Sequence, residues 1–285
     1  MTRTTIAYLL LLLLFTACSR RQQHLPDSSA QPFEVLLVGD DADSLRRCLA
    51  TTMRGLPQSE PDFDVHSIRR GAFHGSWRLA RCIVVFDSVH RFSIRRDVYA
   101  SPQIVIRTDG SCADSLRNTI IKNELANEYR HLCLRHNRKA GKEIKRMFGF
   151  NALIPADLTA SKQGKGFLWY SNNTAEAMRN IIVLKANDGS LAAVNRVLQA
   201  NVPGETDDMF MQIASVADSS NGMWRGLWEM EHDAMGGPYV ARHIGDIWIL
   251  AFAYAPERKK RNIIRLLETA VLSLGRSDCE EGKTK

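Results

Sequence analysis

The sequence predicts an α+β fold with antiparallel or mixed sheets covered by helices, in two similar halves. Apolar runs of about five residues, the length of a buried strand, recur at 34–38, 82–86, 103–107 and 180–184. Other stretches place apolar residues three and four apart, the period of a helix with one buried face. The halves also share a layout: Arg81 opens the run Cys82 to Val85 as Arg179 and Asn180 open Ile181 to Val183, and each half closes with a strand feeding a long helix. Strand runs with helices along one side make layered sandwiches.

The first lobe is read over residues 33–149. Residues 34–38 form a strand closed by Gly39 and Asp40. Residues 44–54 set Leu45, Leu49 and Met53 four apart, with Arg46, Arg47 and Arg54 elsewhere on the turn, an amphipathic helix stopped by Gly55 and Pro57. Phe63, Val65 and Ser67 alternate with Asp62, Asp64 and His66, which suits a half-exposed strand. Residues 82–86 and 103–107 are two more strands, the second ended by Thr108, Asp109 and Gly110. A long helix is expected over 113–138, with Leu116, Ile120, Ile121, Leu125, Tyr129 and Leu132 along one stripe. It continues through Ile144, Met147 and Phe148 to a cap at Gly149.

The second lobe is read over 150–275. Residues 150–154 are apolar up to Pro155, and 167–170 and 180–184 are strand candidates. Ser190 caps a helix bearing Leu191, Val194 and Leu198, which Pro203 and Gly204 end. A strand is expected over 209–216. Residues 224–230 and 246–254 read as two strands joined by a turn at Met235, Gly236, Gly237 and Pro238. Pro256 opens a last helix whose apolar face is Ile263, Ile264, Leu267, Val271 and Leu274. Residues 276–285 read as a disordered tail.

Residues 1–17 read as a signal peptide. Arg3 precedes an apolar stretch from Ile6 to Phe15, shorter than the ~20 residues of a spanning helix. Thr16 and Ala17 lead to Cys18, followed by Ser19, Arg20 and Arg21. This arrangement looks like a bacterial lipobox, in which Cys18 takes a diacylglyceryl thioether and becomes the acylated amino terminus. More than one acyl chain makes a lasting membrane anchor. Residues 18–32 are polar and include Pro26, Asp27, Ser28, Ser29 and Pro32, a composition that reads as a flexible tether. No aspartate follows Cys18, which by similarity to known sorting signals implies the outer membrane, facing the periplasm.

With 45% hydrophobic and 24% charged residues, the composition is that of a globular protein. The net charge of +7 would raise nucleic acid for a cytosolic chain. Export points instead to anionic lipid, peptidoglycan or an acidic envelope protein, and nucleic acid is not expected. No cofactor is called for. Cys48, Cys82, Cys112, Cys133 and Cys279 show no C-x-x-C spacing, and an odd number cannot all pair. They read as inert free thiols, with one disulfide as the other reading and no pair identifiable.

No catalytic or metal-binding pattern stands out. Glu128 and His131 have Glu-x-x-His spacing, but a carboxylate-bridged di-metal site needs a second such motif on a facing helix. His131 and Cys133 point about 200° apart on a helix, so they and His136 make no zinc site. Gly164, Lys165 and Gly166 lack the phosphate-loop layout and read as a hairpin tip. Gly-x-Ser-x-Gly is absent. Two groups remain as candidate binding residues. Arg258, Lys259, Lys260 and Arg261 occupy the first turn of the last helix, where the macrodipole disfavours cations and Glu257 compensates only in part. Residues that oppose the local preference point to an anionic partner, a lipid or a protein. Trp224, Trp228 and Met230 share one strand face and make either a core seam or an aromatic groove.

Leu56, Pro57 and Gln58 with Glu60, Pro61, Phe63, Asp64 and Val65 form one distinctive block, and Arg81 before Ile83, Val84 and Val85 a second. Trp228, Glu229 and Met230 with 235–240, then Tyr254, Ala255 and Pro256 with Lys260 and Arg261, complete the set. On these residues the chain resembles a family of uncharacterised lipoproteins from Bacteroidetes, known only as a domain of unknown function. The resemblance spans nearly the whole mature chain, implies location and single-domain extent, and supplies no active-site residue. The expectation is a lipid-anchored periplasmic envelope protein that binds or scaffolds. The competing reading is an envelope hydrolase or ligand-processing enzyme whose site assembles from distant residues. A polar cleft with several perturbed titratable groups would favour the enzyme, and an apolar patch the binder.

Overall fold

Val35, Leu36, Leu37 and Val38 are all buried, as a strand covered on both faces must be. They belong to β1 (Glu34–Val38), the second strand of a five-stranded sheet. After α1 (Asp43–Leu49) come β2 (Asp64–Ile68), β3 (Cys82–Phe86), β4 (Phe92–Arg96) and β5 (Ile104–Thr108), in the spatial order β2-β1-β3-β5-β4. Only the edge strand β4 runs antiparallel to its neighbour. α1 and α2 (Ala113–Leu134) cover one face through Leu45, Leu49, Leu116 and Ile120. The other face, with Leu36, Val38, Ile83 and Val105, has no α-helix on it among the described residues and is covered by Phe73, Ala80, Val98 and Tyr99. The structure, a computed structural model, describes residues 24–276 apart from 41, 90, 91, 175 and 188, together with Cys279. The signal segment 1–17 and Cys18 lie outside the described residues.

The second sheet follows α3 (Arg138–Phe148). Its strands are β6 (Ala160–Gly164), β7 (Phe167–Ser171), β8 (Met178–Lys185), β9 (Met211–Asp218), β10 (Met223–Met230), β11 (Gly236–Ile244) and β12 (Ile247–Tyr254). They form an antiparallel sheet in the order β6-β7-β8-β12-β11-β10-β9. Strand alternation splits its side chains into two cores. Ile181, Val183, Ile249 and Ala251 meet α3 and the last helix, α5 (Arg261–Leu272). Ile182, Leu184, Trp248 and Leu250 meet α4 (Leu191–Asn201). α5 also packs on α2. The molecule is therefore a stack: α4, the second sheet, α5 with α3, α2 with α1, the first sheet, and the segment around 69–80.

The α+β class holds, and the chain forms two domains, where the family resemblance implied a single one. The expected likeness of the two halves does not reach topology, since one sheet is largely parallel and the other antiparallel. The long helix read over 113–148 is two helices. Arg135 and His136 leave the helix, His136 bridges to Pro155, and Asn137 caps α3 by accepting the Ala140 amide at 3.1 Å. α2 buries Asn123, Glu124 and Asn127 with its apolar residues because it is covered from two sides. Glu124 pairs with Arg81 at 2.7 Å, the cation that opens β3. β4 and β6 are strands that the pattern did not indicate. Gly236, Gly237 and Pro238, read as a turn, begin β11 instead.

Three further expectations are corrected. The segment read as a flexible tether is docked from Pro26 onward: Pro26 O accepts the Ser101 amide at 2.9 Å, and the Ser29 amide donates to Leu79 O at 2.7 Å. The thiols are not all free, and the tail is not wholly loose, because Cys133 at the end of α2 is bonded to Cys279, with Cα atoms 5.5 Å apart. Cys48, Cys82 and Cys112 remain thiols.

Candidate functional site

The second sheet curls around α4 so far that both its edges reach the same helix end. Lys162 Nζ on β6 donates to Asn201 O at 2.8 Å, and the Met211 amide on β9 donates to Val202 O at 3.0 Å. α4 has 11 residues, about 16 Å of helix, whereas the central strands have eight or nine, about 27–30 Å. The helix covers only part of the concave face. Where it ends, a cavity of about 350 Å³ remains.

Its walls are mainly apolar. Trp169, Trp228 and Phe252 come from β7, β10 and β12, and Met178, Met211, Met230 and Met235 surround them. Thioethers are flexible and polarizable, so such a wall adapts its shape to what it holds. Ser161, Lys162, Ser171 and Asn173 supply the polar lining. Two of the three residues expected to share an aromatic face, Trp228 and Met230, line this cavity. Trp224 does not; it packs on Trp248, with ring centroids 5.6 Å apart, and Trp248 stacks on His243 at 4.6 Å.

Gly237 explains how Trp228 is seated. A side chain at 237 would begin 2.2 Å from Ala253 O and 3.2 Å from Trp228 Nε1. Its absence lets the indole donate to Ala253 O at 3.1 Å and meet Phe252 edge-on, with centroids 4.9 Å apart. The glycine pair in the most distinctive part of the sequence thus builds a cavity wall rather than a turn.

Beside Phe252 lie two buried polar groups with open capacity. Asn180 and Tyr239 pair with Phe252 from either side across the ladder. Asn180 Oδ1 accepts Trp169 Nε1 at 2.9 Å, while Asn180 Nδ2 and the Tyr239 hydroxyl meet no partner among the described residues. Burial pushes the Tyr239 phenol up to about 12, so it stays protonated and able to donate. A buried donor without an acceptor costs about 1–3 kcal/mol.

Three further perturbed groups lie away from this cavity. Burial, with the Glu128 charge, raises the Glu124 carboxyl against the opposing pull of Arg81 and the Phe33 amide, and burial raises the Cys82 thiol. Both are under the first sheet. Tyr170, raised by burial and by its hydrogen bond to Glu143, is on the opposite face of the second sheet. Among the described residues no group of three His, Cys, Asp or Glu is placed to hold a metal ion. Lys165 and Gly166 form the β6–β7 hairpin turn, closed by the pair Gly164 and Phe167, so the hairpin tip is where it was read.

The last helix begins at Arg261 with Lys260 as its N-cap, not at Pro256, so of the four cations expected in its first turn only Arg261 lies within it, and the segment finds anions inside the chain. Glu60 accepts the backbone amides of Lys260 and Arg261 at 2.7 and 3.0 Å. Asp64 takes Arg261 at 2.6 Å and Lys259 at 3.5 Å. Lys260 and Arg261 are buried, whereas Arg258 and Lys259 stay exposed, Arg258 pairing with Glu176. The chain of charges extends through Asp62, which holds both Arg117 and Arg265, then through Glu268 to Arg225. Acids of the 60–64 segment in the first lobe thus meet this cationic segment from within the chain. Sequence spacing could not show this, since the partners stand about two hundred residues apart. Alternating acids at 60, 62 and 64 against cations at 261 and 265, one helical turn apart, were the available signal.

Residues 28–147 match a domain of unknown function (DUF8532), and residues 137–273 match a second domain of unknown function (DUF4837). Together they cover most of the chain and overlap over 137–147, all but the last residue of α3. No curated protein matches the chain.

Proposed function

We propose that this chain is a lipid-anchored envelope protein, facing the periplasm from the outer membrane, that works by binding a small apolar ligand in the cavity at the end of α4. The cavity carries the reading. Its volume of about 350 Å³ lies within the ~300–1,000 Å³ of ligand sites, and it combines an apolar wall with a few polar groups, as such sites do. Among the described residues that line it there is no carboxylate or histidine to move a proton, which favours binding over hydrolysis. The anchor rests on the apolar run that ends at Cys18, and a disulfide between Cys133 and Cys279 is consistent with an oxidising compartment. Membership of a lipoprotein family from Bacteroidetes belongs to the same reading.

Anilinonaphthalene sulfonate, an apolar anion that brightens on leaving water, tests the cavity. The mature chain is expected to take it at one saturable site, and Met230→Arg and Met235→Arg, which fill the cavity from half-buried positions, weaken it at least tenfold while far-ultraviolet dichroism is unchanged. Equal binding by the wild type and both folded variants overturns the reading. The anchor has a separate test: Cys18→Ala moves the protein from the membrane to the soluble fraction, and full membrane retention rules out lipidation as the attachment.

A further inference from the structure

The face of the first sheet that no α-helix covers among the described residues is built unlike the rest of the molecule. Residues 66–107 contain eight arginines and no lysine against two aspartates. Arg81 and Arg96 turn inward and are held by Glu124 with Glu128 and by Asn123. Arg95 and Arg107 leave β4 and β5 on the uncovered side, in ladder positions beside Val105, and both are exposed. Arg69, Arg70 and Arg78 belong to the segment that crosses this face. Arg78 lies over the rings of Phe73 and Tyr99 at 5.8 and 5.3 Å, and the two rings meet edge-on. Trp77, beside it, is 45% exposed. Among the described residues none of Arg69, Arg70, Arg78, Arg95 and Arg107 is in an ion pair, whereas Arg117, Arg179, Arg225, Arg258, Arg261 and Arg265 all are.

The amino-terminal segment enters the fold at this face. Ser29 hydrogen-bonds with Leu79 and Arg81, and Pro26 and Ser28 with Ser101, so the chain docks on both sides of Trp77, Arg78 and Tyr99. Eight residues separate Asp27 from Cys18, a reach of at most about 30 Å when fully extended.

We propose that this arginine-rich aromatic face rests on an anionic phospholipid bilayer. The proposal builds on the lipid-anchor reading of Cys18 but concerns different residues. Guanidinium groups are weakly hydrated and bind phosphate in pairs of parallel hydrogen bonds, so an all-arginine patch suits phosphodiester headgroups. Tryptophan and tyrosine settle at the headgroup level. A cationic patch next to an acyl anchor supplies the second signal that holds a protein in one orientation as well as at the membrane. In that orientation the ligand cavity is at the far end of the layer stack, roughly 40 Å from the lipid at about 10 Å per layer.

The mature chain carrying Cys18→Ser, which cannot be acylated, isolates the patch from the anchor. It is expected to sediment with vesicles of phosphatidylglycerol and phosphatidylethanolamine, to remain in solution with phosphatidylcholine, and to be released by salt. Reversing Arg78, Arg95 and Arg107 to Glu lowers partitioning at least tenfold, Trp77→Ser lowers it with little change in salt dependence, and Lys165→Glu on the second lobe leaves it unchanged. Absence of any preference for the anionic vesicles, or undiminished binding by the folded triple variant, overturns the proposal. Mass spectrometry of position 18 judges the anchor independently of either result.

Discussion

Glu60 caps a helix that begins two hundred residues later: its Oε1 accepts the Lys260 amide at 2.7 Å. Its second oxygen takes the Arg261 amide at 3.0 Å. The first amides of a helix have no partner within it, and their positive field favours an anion. Glu60 supplies both corrections where Lys259, Lys260 and Arg261 make them most needed. The same contact joins the first lobe to the helix that closes the second.

Replacing Glu60 by Ala is therefore expected to cost about 2 kcal/mol, the upper range for a lost helix cap, because both amides lose their acceptor in a buried setting. Glu60→Gln keeps one acceptor and loses about half as much. Urea unfolding midpoints for the two variants check the order, and equal stability of wild type and Glu60→Ala would remove the cap from the account.

Asp64 gives this junction a pH dependence. Burial alone would raise its carboxyl, but the hydrogen bond and charge of Arg261, with Lys259, more than offset that and hold it below the ordinary 3.8. A lowered acid contributes stability that is present above 3.8 and is lost as pH falls through the lower folded value. The Tm difference between wild type and Asp64→Asn is thus full at pH 6 and closes below pH 3.8. A difference that stays constant down to pH 2 contradicts the assignment.

Gly237→Ala tests how the cavity wall is built. Its new methyl group would lie 2.2 Å from Ala253 O, a contact that only movement of β12 or of the indole can relieve. Overpacking of this kind costs about 1–3 kcal/mol. Tryptophan emission should shift to the red as Trp228 loses its seat, whereas Gly71→Ala, at an ordinary backbone angle with open space around it, leaves emission unchanged.

The Cys133–Cys279 bond closes a sequence separation of 146 residues. On the chain-entropy account such a loop contributes up to about 5 kcal/mol. Cys133→Ser should lower the denaturant midpoint and abolish its response to reductant, while Cys112→Ser, at an exposed free thiol, leaves both as they are.

The strands read from sequence were β1, β2, β3, β5, β7, β8, β9, β10 and β12, most plainly the largely buried apolar runs β1, β3, β5, β8 and β12, where composition and burial coincide. β4 escaped notice because Ser93, Arg95 and Arg96 are polar on an edge that water or α2 satisfies, and β6 because all but Gly164 of its five residues are exposed. β11 was misread because Gly236 and Gly237 are turn residues by preference, whereas here they admit Trp228. Of the candidate site, Trp228 and Met230 were legible as one face of a strand. Trp169, Met178 and Asn180 were not, because nothing local tells a strand under a helix from one that runs past its end.

Local chemistry was sufficient for the α+β class, the position of most helices and strands, the cationic surplus and the demand of residues 258–261 for an anion, since each depends on neighbours within a few positions. Tertiary structure alone decided which anion answers that demand, which two of the five cysteines beyond Cys18 meet, which arginines stay unpaired on one face, and where α4 stops short of the sheet. Those outcomes depend on groups separated by tens to hundreds of residues, and their distances are set by packing rather than by spacing along the chain.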